Sequence, residues 1–121
     1  MKTYLTFPNG IRFGLALVFL ANSLTAFYLP GEFQDLVAGS FLAGILATLS
    51  ISVAQFVTFI GVNDMVVAIL LFSGWRLRRV AKYATLWLTG VIFVIGVADF
   101  ETMLDVLEHF GFLAMALALA F

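Results

Sequence analysis

The sequence predicts an all-α integral membrane protein: a four-helix bundle with an additional interfacial or re-entrant helix between spans 1 and 2. Its 121 residues are 64% hydrophobic and only 11% charged, and its mean hydropathy is +1.14. A soluble domain needs about a quarter of its residues charged to cover its surface. Apolar blocks of about 20 residues, the length that crosses a bilayer, recur along the chain. Together these observations exclude an ordinary soluble enzyme.

We predict four spans in a single transmembrane domain covering residues 1–121. The first lies between the helix breakers Pro8-Asn9-Gly10 and Pro30-Gly31, and the second ends at Ser73-Gly74. The third precedes the acidic residues near position 100, and the fourth runs to the C-terminus. The predicted spans are about 11–29, 53–73, 83–98 and 103–121.

The positive-inside rule sets the number of crossings, because residues 32–74 are too long for one helix. The six basic residues fall into two groups, Lys2 with Arg12 before and at the start of span 1, and a second group between spans 2 and 3. Four crossings place both groups on one side, whereas five would separate them. We therefore expect both termini in the cytoplasm. The second group is Arg76, Arg78, Arg79 and Lys82.

With four crossings, residues 33–48 form a helix that lies along or dips into the outer leaflet. This helix has a stripe of small residues, which permits close helix packing in lipid. We expect the stripe to pack against the bundle and the opposite face to meet lipid or a partner subunit. The stripe contains Gly39, Ala43, Gly44 and Ala47, and the opposite face contains Leu42, Ile45, Leu46 and Leu49.

Asn63 and Asp64 fall at the centre of the predicted second span. A charged side chain there costs about 2.5–3.5 kcal/mol, so an aspartate at this depth is by default a candidate functional group. A structural alternative is that Asp64 hydrogen-bonds to Asn22, Ser23 or Thr25 of the first span and holds the helices in register. The sequence leaves both interpretations open.

The fourth span opens with Thr102-x-x-Asp105, a capping-box pattern, and continues to Glu108 and His109. Residues 105, 108 and 109 share one helix face. Glu108 and His109 would form a polar entrance that binds a head group or passes protons toward Asp64. In the structural alternative, which stays open, Glu108 lies near the interface and His109 hydrogen-bonds within the bundle. For Asp105 we favour a structural role at the positive helix N-terminus.

Other classes of site are disfavoured by composition. The chain has no cysteine and one histidine, so we expect no metal. It contains no nucleophile with a base and an orienting group, and we predict no catalytic residue. Six dispersed basic residues give no footprint for nucleic acid. The basic group between spans 2 and 3 is explained by topological anchoring, with docking of lipid or an acidic partner as the alternative.

Three segments together resemble the DoxX-like family of small four-span membrane proteins. They are Arg12-Phe-Gly-Leu-Ala-Leu-Val-Phe-Leu, Ile60-Gly-Val-Asn-Asp-Met-Val-Val-Ala-Ile-Leu-Leu-Phe-Ser-Gly74, and His109-Phe-Gly-Phe-Leu-Ala-Met-Ala-Leu-Ala-Leu. The resemblance covers nearly the full chain. It implies a four-helix bundle in a bacterial inner membrane, and a subunit of a thiosulfate:quinone oxidoreductase or a membrane anchor of redox complexes. Because the chain has no cysteine, only the quinone-proximal or scaffolding part of that role carries over.

Two functions follow as hypotheses. The first is a non-catalytic accessory or anchoring subunit of a larger membrane complex, with a redox complex as one candidate; its partners would be lipids and either other proteins or further copies of the chain. The second is binding of a quinone-like lipophilic molecule, or proton relay, through intramembrane polar residues. The residues proposed for the second function are Asn22, Asn63, Asp64, Glu108 and His109.

Overall fold

A computed structural model describes residues 7–96 and 99–121 of the chain. Within these residues the protein is 87% helical and has no strand. The helices are α1 (Phe7–Tyr28), α2 (Gly31–Ala38), α3 (Leu42–Thr48), α4 (Val53–Ser73), α5 (Leu77–Ile95) and α6 (Phe100–Ala120).

Three of the helices are long and apolar enough to cross a membrane: Pro8–Tyr28, Val53–Ser73 and Phe100–Ala120. The protein is therefore an all-helical membrane protein. The fourth long helix, α5, has 19 residues, but three of its first six are basic. Helix α5 ends at Ile95 with Gly96 as its C-cap. The predicted end of this span, residue 98, lies outside the described residues.

The long helices form a ring in which α1 packs along α4 and α5 packs along α6, while smaller contacts join α1 to α6 and α4 to α5. Helices α1 and α4 are antiparallel, because Phe13 stacks on Phe72 at 6.2 Å and the Ser23 hydroxyl donates a 2.8 Å hydrogen bond to the Gly61 carbonyl. The segment between them therefore starts and ends at the same end of the bundle. At 1.5 Å per residue, α2 and α3 are only about 12 and 10 Å long.

Alanines pack the core in the half of the bundle that contains the start of α5. Large side chains such as Phe19 and Leu71 fill the spaces between helices that approach closely at small residues. These alanines are at most 2% exposed: Ala16, Ala68, Ala81, Ala84, Ala116 and Ala120.

The segment 33–48 differs from prediction in two ways. It forms two helices because Ser40 interrupts it: its hydroxyl donates to the Val37 carbonyl and accepts from the Leu42 amide, at 2.8 and 3.2 Å, so it competes with the helical backbone bonds. The predicted packing of the small stripe against the bundle is also wrong. The large residues Val37 and Leu46 are buried, since they make more contacts per residue. Ala43 is half-buried, whereas Gly39, Gly44 and Ala47 are exposed.

Three helix starts also differ from the predicted ones. Helix α1 begins at Phe7, so Pro8-Asn9-Gly10 lie inside its first turn and not before it; proline is tolerated there because its missing N–H would have no helical partner. Helix α6 begins one turn earlier than expected: Asp99 is the N-cap and Thr102 the N3 residue of its capping box, consistent with the preference for aspartate over threonine as a cap. Helix α5 begins at Leu77, directly after a tight reversal in which Gly74 has φ +74° and Arg76 φ +45°. Arg78, Arg79 and Lys82 therefore lie in α5 and not in a loop.

Candidate functional site

A cavity of about 920 Å³ occupies the half of the bundle opposite the alanine core. Its walls come from α1, α4, α5 and α6, and α2, which contacts both α4 and α5, lies across one end. We call it the main cavity. Its aromatic lining includes Phe33, Phe56, Trp87 and Phe112, and its polar lining includes Asn22, Thr25, Glu32, Asp35, Asp64, Glu101, Thr102, Asp105, Glu108 and His109.

Asp64 is the buried acidic group of the main cavity. It is the twelfth of the 21 residues of α4 and only 3% exposed. The Asn63 amide nitrogen donates to the Asp64 Oδ1 at 3.1 Å, and Trp87 lines the same cavity. A carboxyl group at mid-helix thus has a polar partner, as its desolvation cost requires.

If Asp64 held the helices in register, it would hydrogen-bond to Asn22, Ser23 or Thr25 of α1. In the structure, Ser23 and Thr25 have other partners. Ser23 binds the Gly61 carbonyl, and the Thr25 hydroxyl donates to the Ala21 carbonyl of its own helix at 2.9 Å. Asn22 is half-buried and lines the main cavity with Asp64. The α1–α4 contact is therefore held by Ser23 without Asp64, and the buried carboxyl faces the cavity.

Asn63 lies on a different side of α4 from the other predicted site residues. The Tyr83 hydroxyl donates to the Asn63 Oδ1, so Tyr83, Asn63 and Asp64 form one hydrogen-bonded chain from α5 into α4. Asn63 and Tyr83 line a second cavity of about 380 Å³ between α4 and α5, which we call the basic crevice. This chain of side chains separates the two cavities.

His109 is half-buried on the α6 wall of the main cavity. Its Nδ1 lies 2.8 Å from the Asp105 carbonyl oxygen, and because a carbonyl only accepts, Nδ1 carries the proton in this contact. The Phe112 ring meets the imidazole edge to face, at 5.1 Å between centroids. Glu108 and Asp105 line the same wall from exposed positions. Asp105 therefore faces the cavity. The N-cap of α6 is Asp99, and not Thr102 as the Thr102-x-x-Asp105 pattern predicted.

The main cavity is lined by nearly all the acidic residues of the chain. Six of the seven line it, and none of the arginine and lysine side chains that the structure describes does. Of these six, only Asp64 and Glu108 were proposed as site residues from the sequence; Glu32, Asp35, Glu101 and Asp105 were not. The sequence did contain a signal for Glu32, Asp35 and Glu101. Four crossings place the basic residues at one end of the bundle and the segments that contain these three acidic residues at the other. Trp87 was also missed, since nothing in its neighbouring residues distinguishes it.

The five basic residues that the structure describes lie at the other end of the bundle; Lys2, expected at the same end, lies outside the described residues. A Cβ atom added at Gly74 would lie 2.5 Å from Nη1 of Arg12. Arg12 therefore lies beside the turn between α4 and α5. Arg76 and Arg79 line the basic crevice. Lys82 is exposed and its Nζ lies 5.3 Å from the centre of the Phe121 ring; Arg78 is exposed as well.

Among the described residues, no group of three or more histidine, aspartate or glutamate side chains is arranged to hold a metal ion. The chain matches no protein-family profile, no curated protein sequence and no solved structure. The resemblance to the DoxX-like family therefore stays a prediction.

Proposed function

We propose that this chain is a four-span membrane protein that binds a lipophilic small molecule in the main cavity. The observation that carries this proposal is the convergence of Asn22, Asp64, Glu108 and His109, from three helices, on one cavity of about 920 Å³. Ligand sites are typically concave, mostly apolar and supplied with a few convergent polar groups. A buried carboxyl in a membrane helix is by default functional.

In this proposal α5 is the fourth crossing. It packs along α6, which is long and apolar enough to span, so the two cover the same depth. Its basic residues lie at its first turns, where their long side chains can reach the interface. Arg12 lies at the same end, and we assign that end to the cytoplasm of a bacterial cell by the positive-inside rule. The main cavity then faces the outer leaflet.

The charge of the lining favours a ligand with a cationic group on an apolar body. Five exposed carboxylates surround Asp64 in the cavity wall without a basic side chain among them. A cation about 4 Å from one carboxylate gains on the order of 4 kcal/mol where the effective dielectric constant is about 20. The rings of Trp87 and Phe112 add surfaces that attract cations. An anionic ligand would meet repulsion throughout.

Two probes of the same shape and opposite charge test the proposal. Tetraphenylphosphonium and tetraphenylborate would be titrated into the purified full chain in detergent micelles, with binding read from quenching of tryptophan fluorescence. We expect saturable binding of the cation alone, weakened at least about tenfold by Asp64→Asn. Asp99→Asn is the matched control, because Asp99 lies outside the cavity lining and asparagine caps helices equally well. Equal binding of both probes, or equal loss in both variants, would reject the proposal.

A neutral quinone-like molecule is the alternative ligand, with proton relay as its companion function. The Asn22 amide in the cavity wall can donate a hydrogen bond to a quinone carbonyl. The His109 Nε2, which is an acceptor while Nδ1 donates to the Asp105 carbonyl, can accept one from a hydroxyl of the reduced quinol. A short-chain quinone analogue whose binding is lost in His109→Phe but kept in Asp64→Asn would support this alternative. The opposite pattern would support the cationic ligand.

The accessory-subunit hypothesis is favoured by a separate observation. Gly44 has no atom within 4 Å of its Cβ position, and Gly39 and Ala47 are exposed beside it. Exposed small residues on helices in lipid permit close approach of a partner helix. Affinity purification of the chain from its native host, followed by mass spectrometry, tests this. A partner or second copy lost in Gly44→Leu, but kept in Leu86→Ala on the exposed face of α5, would support the subunit role; a chain that purifies alone would contradict it.

A further inference from the structure

We propose that the basic crevice binds the phosphate group of an anionic phospholipid. The crevice is a cavity of about 380 Å³ between α4 and α5, separated from the main cavity by the Tyr83–Asn63–Asp64 chain. Its polar lining includes Asn63, Arg76, Arg79 and Tyr83, and Val66 and Leu70 belong to its apolar wall on α4. This site is independent of the ligand proposed for the main cavity.

The electrostatics of the crevice call for an anion. Arg76 is the N-cap of α5 and Arg79 lies in its first turn, where the helix dipole is positive and like charges are unfavourable. No acidic residue lies in that first turn, and no side chain caps it. Six of the seven acidic residues line the other cavity. A phosphate in the crevice would compensate both arginines and the uncapped amides of the helix.

The negative end of α4 does not use these arginines. Arg12 reaches the turn at Gly74 from α1, so a separate cation lies near the last carbonyls of α4, where a cation is favourable. Arg76 and Arg79 therefore remain available to a ligand. Arginine is suited to this role because its planar guanidinium can bind two oxygens of a phosphate at once.

The backbone holds Arg76 in an unusual conformation. Its φ of +45° and ψ of +47° are left-handed, which is uncommon for a residue other than glycine and occurs often at ligand sites. The guanidinium carbon lies 4.9 Å from the centre of the Trp75 ring, so the side chain, although exposed, has an aromatic contact. Both features orient Arg76 at the crevice.

A lipid, in preference to free phosphate, fits the surroundings of the crevice. Trp75 is 57% exposed at the basic end of the bundle, the position that tryptophan favours at a membrane interface. Val66 and Ile69 are about half exposed on α4, which leaves an apolar path for an acyl chain below the headgroup. Basic pockets between membrane helices on the cytoplasmic side commonly bind anionic headgroups.

Native mass spectrometry of the full chain, delipidated in detergent and then given dioleoyl phosphatidylglycerol or phosphatidylcholine, tests the proposal. We expect the unchanged protein to retain the anionic lipid preferentially. The double variant Arg76→Gln/Arg79→Gln should weaken that binding about 30-fold, the loss expected for two cations at an anionic headgroup. The matched control is Arg78→Gln/Lys82→Gln, which removes the same charge from the same helix outside the crevice lining, and it should change binding less than about threefold.

Each other outcome overturns the proposal. Equal loss in the two double variants would mean that diffuse surface charge holds the lipid. Displacement of the lipid by millimolar inorganic phosphate would identify a free phosphate as the ligand and reject the lipid. Retention of both lipids to the same extent by the unchanged protein would reject the site without any variant, so the test does not depend on the folding of the arginine variants.

Discussion

The hydrogen bond between Ser23 and Gly61 is the point at which the helix packing can be tested most directly. Ser23 is fully buried, and its hydroxyl donates at 2.8 Å to the Gly61 carbonyl in the most extensive helix pair of the bundle. The Phe27 ring covers Gly61 so closely that a Cβ atom there would lie 2.9 Å from it. Ser23→Ala removes the hydroxyl and leaves the close packing in place.

The expected cost follows from the geometry of this contact. Hydrogen bonds between membrane helices contribute about 0.6 kcal/mol on average and up to about 1.7. Full burial and a short distance place this bond above the average, while the Gly61 carbonyl keeps its own helical partner, which limits the loss. We therefore expect Ser23→Ala to lower the free energy of unfolding by about 1 kcal/mol, or about fivefold in the unfolding constant.

The assay is reversible unfolding in mixed micelles, with helix content followed by circular dichroism as the fraction of sodium dodecyl sulfate rises. The control is Thr58→Val, because the Thr58 hydroxyl is exposed and donates within its own helix to the Ala54 carbonyl at 3.1 Å. We expect the control to be neutral within a few tenths of a kcal/mol. Equal stability of Ser23→Ala and Thr58→Val would refute the argument that this bond holds α1 to α4.

Three further predictions address the core, the turn and the last helix. Ala84→Leu overpacks a fully buried position and should cost about 1–3 kcal/mol in the same assay, whereas Leu86→Ala, at a side chain 74% exposed, should be near neutral. Gly74→Ala forces a side chain onto a φ of +74° and should destabilise the protein by about 1 kcal/mol or more. The hydrogen bonds from Thr102 lower the pKa of Asp99. Its stabilising effect is therefore full above the ordinary pKa of aspartate and is lost as the pH falls through the lowered value; Asp99→Asn should flatten this acid dependence of the unfolding midpoint, and an unchanged dependence would contradict the prediction.

The sequence predicted the parts of the fold that depend on local composition. Helix α4 has the bounds expected for the second span, and α1 ends at Tyr28, directly before Pro30-Gly31, because apolar length and helix breakers act within one segment. Helix starts were less accurate. Asp99 and Thr102 are both acceptable caps, and only the three-dimensional course of the chain decides between neighbouring candidates.

The contents of the cavity could be predicted only in part. Asp64 was found because a carboxyl in an apolar helix is unusual by itself, and Glu108 and His109 because they share one helix face. Glu32 and Trp87 were not found, since their place in the cavity depends on how α2 and α5 pack against other helices. Asn63 was grouped with Asp64 by adjacency, yet successive residues on a helix point about 100° apart, and it lines the other cavity.

The sequence by itself determined that this protein is helical and lies in a membrane, and it grouped Arg12 with the basic residues 76–82 at one end of the bundle, because these properties follow from hydropathy, helix length and charge counting. Only the tertiary structure decided where the helices approach closely and where they separate. Buried alanines bring them together at one end, while the small stripe expected to do so is exposed. At the other end the helices diverge, and six carboxylates far apart in the chain line one cavity. Such convergence arises from packing between segments, which local patterns do not encode.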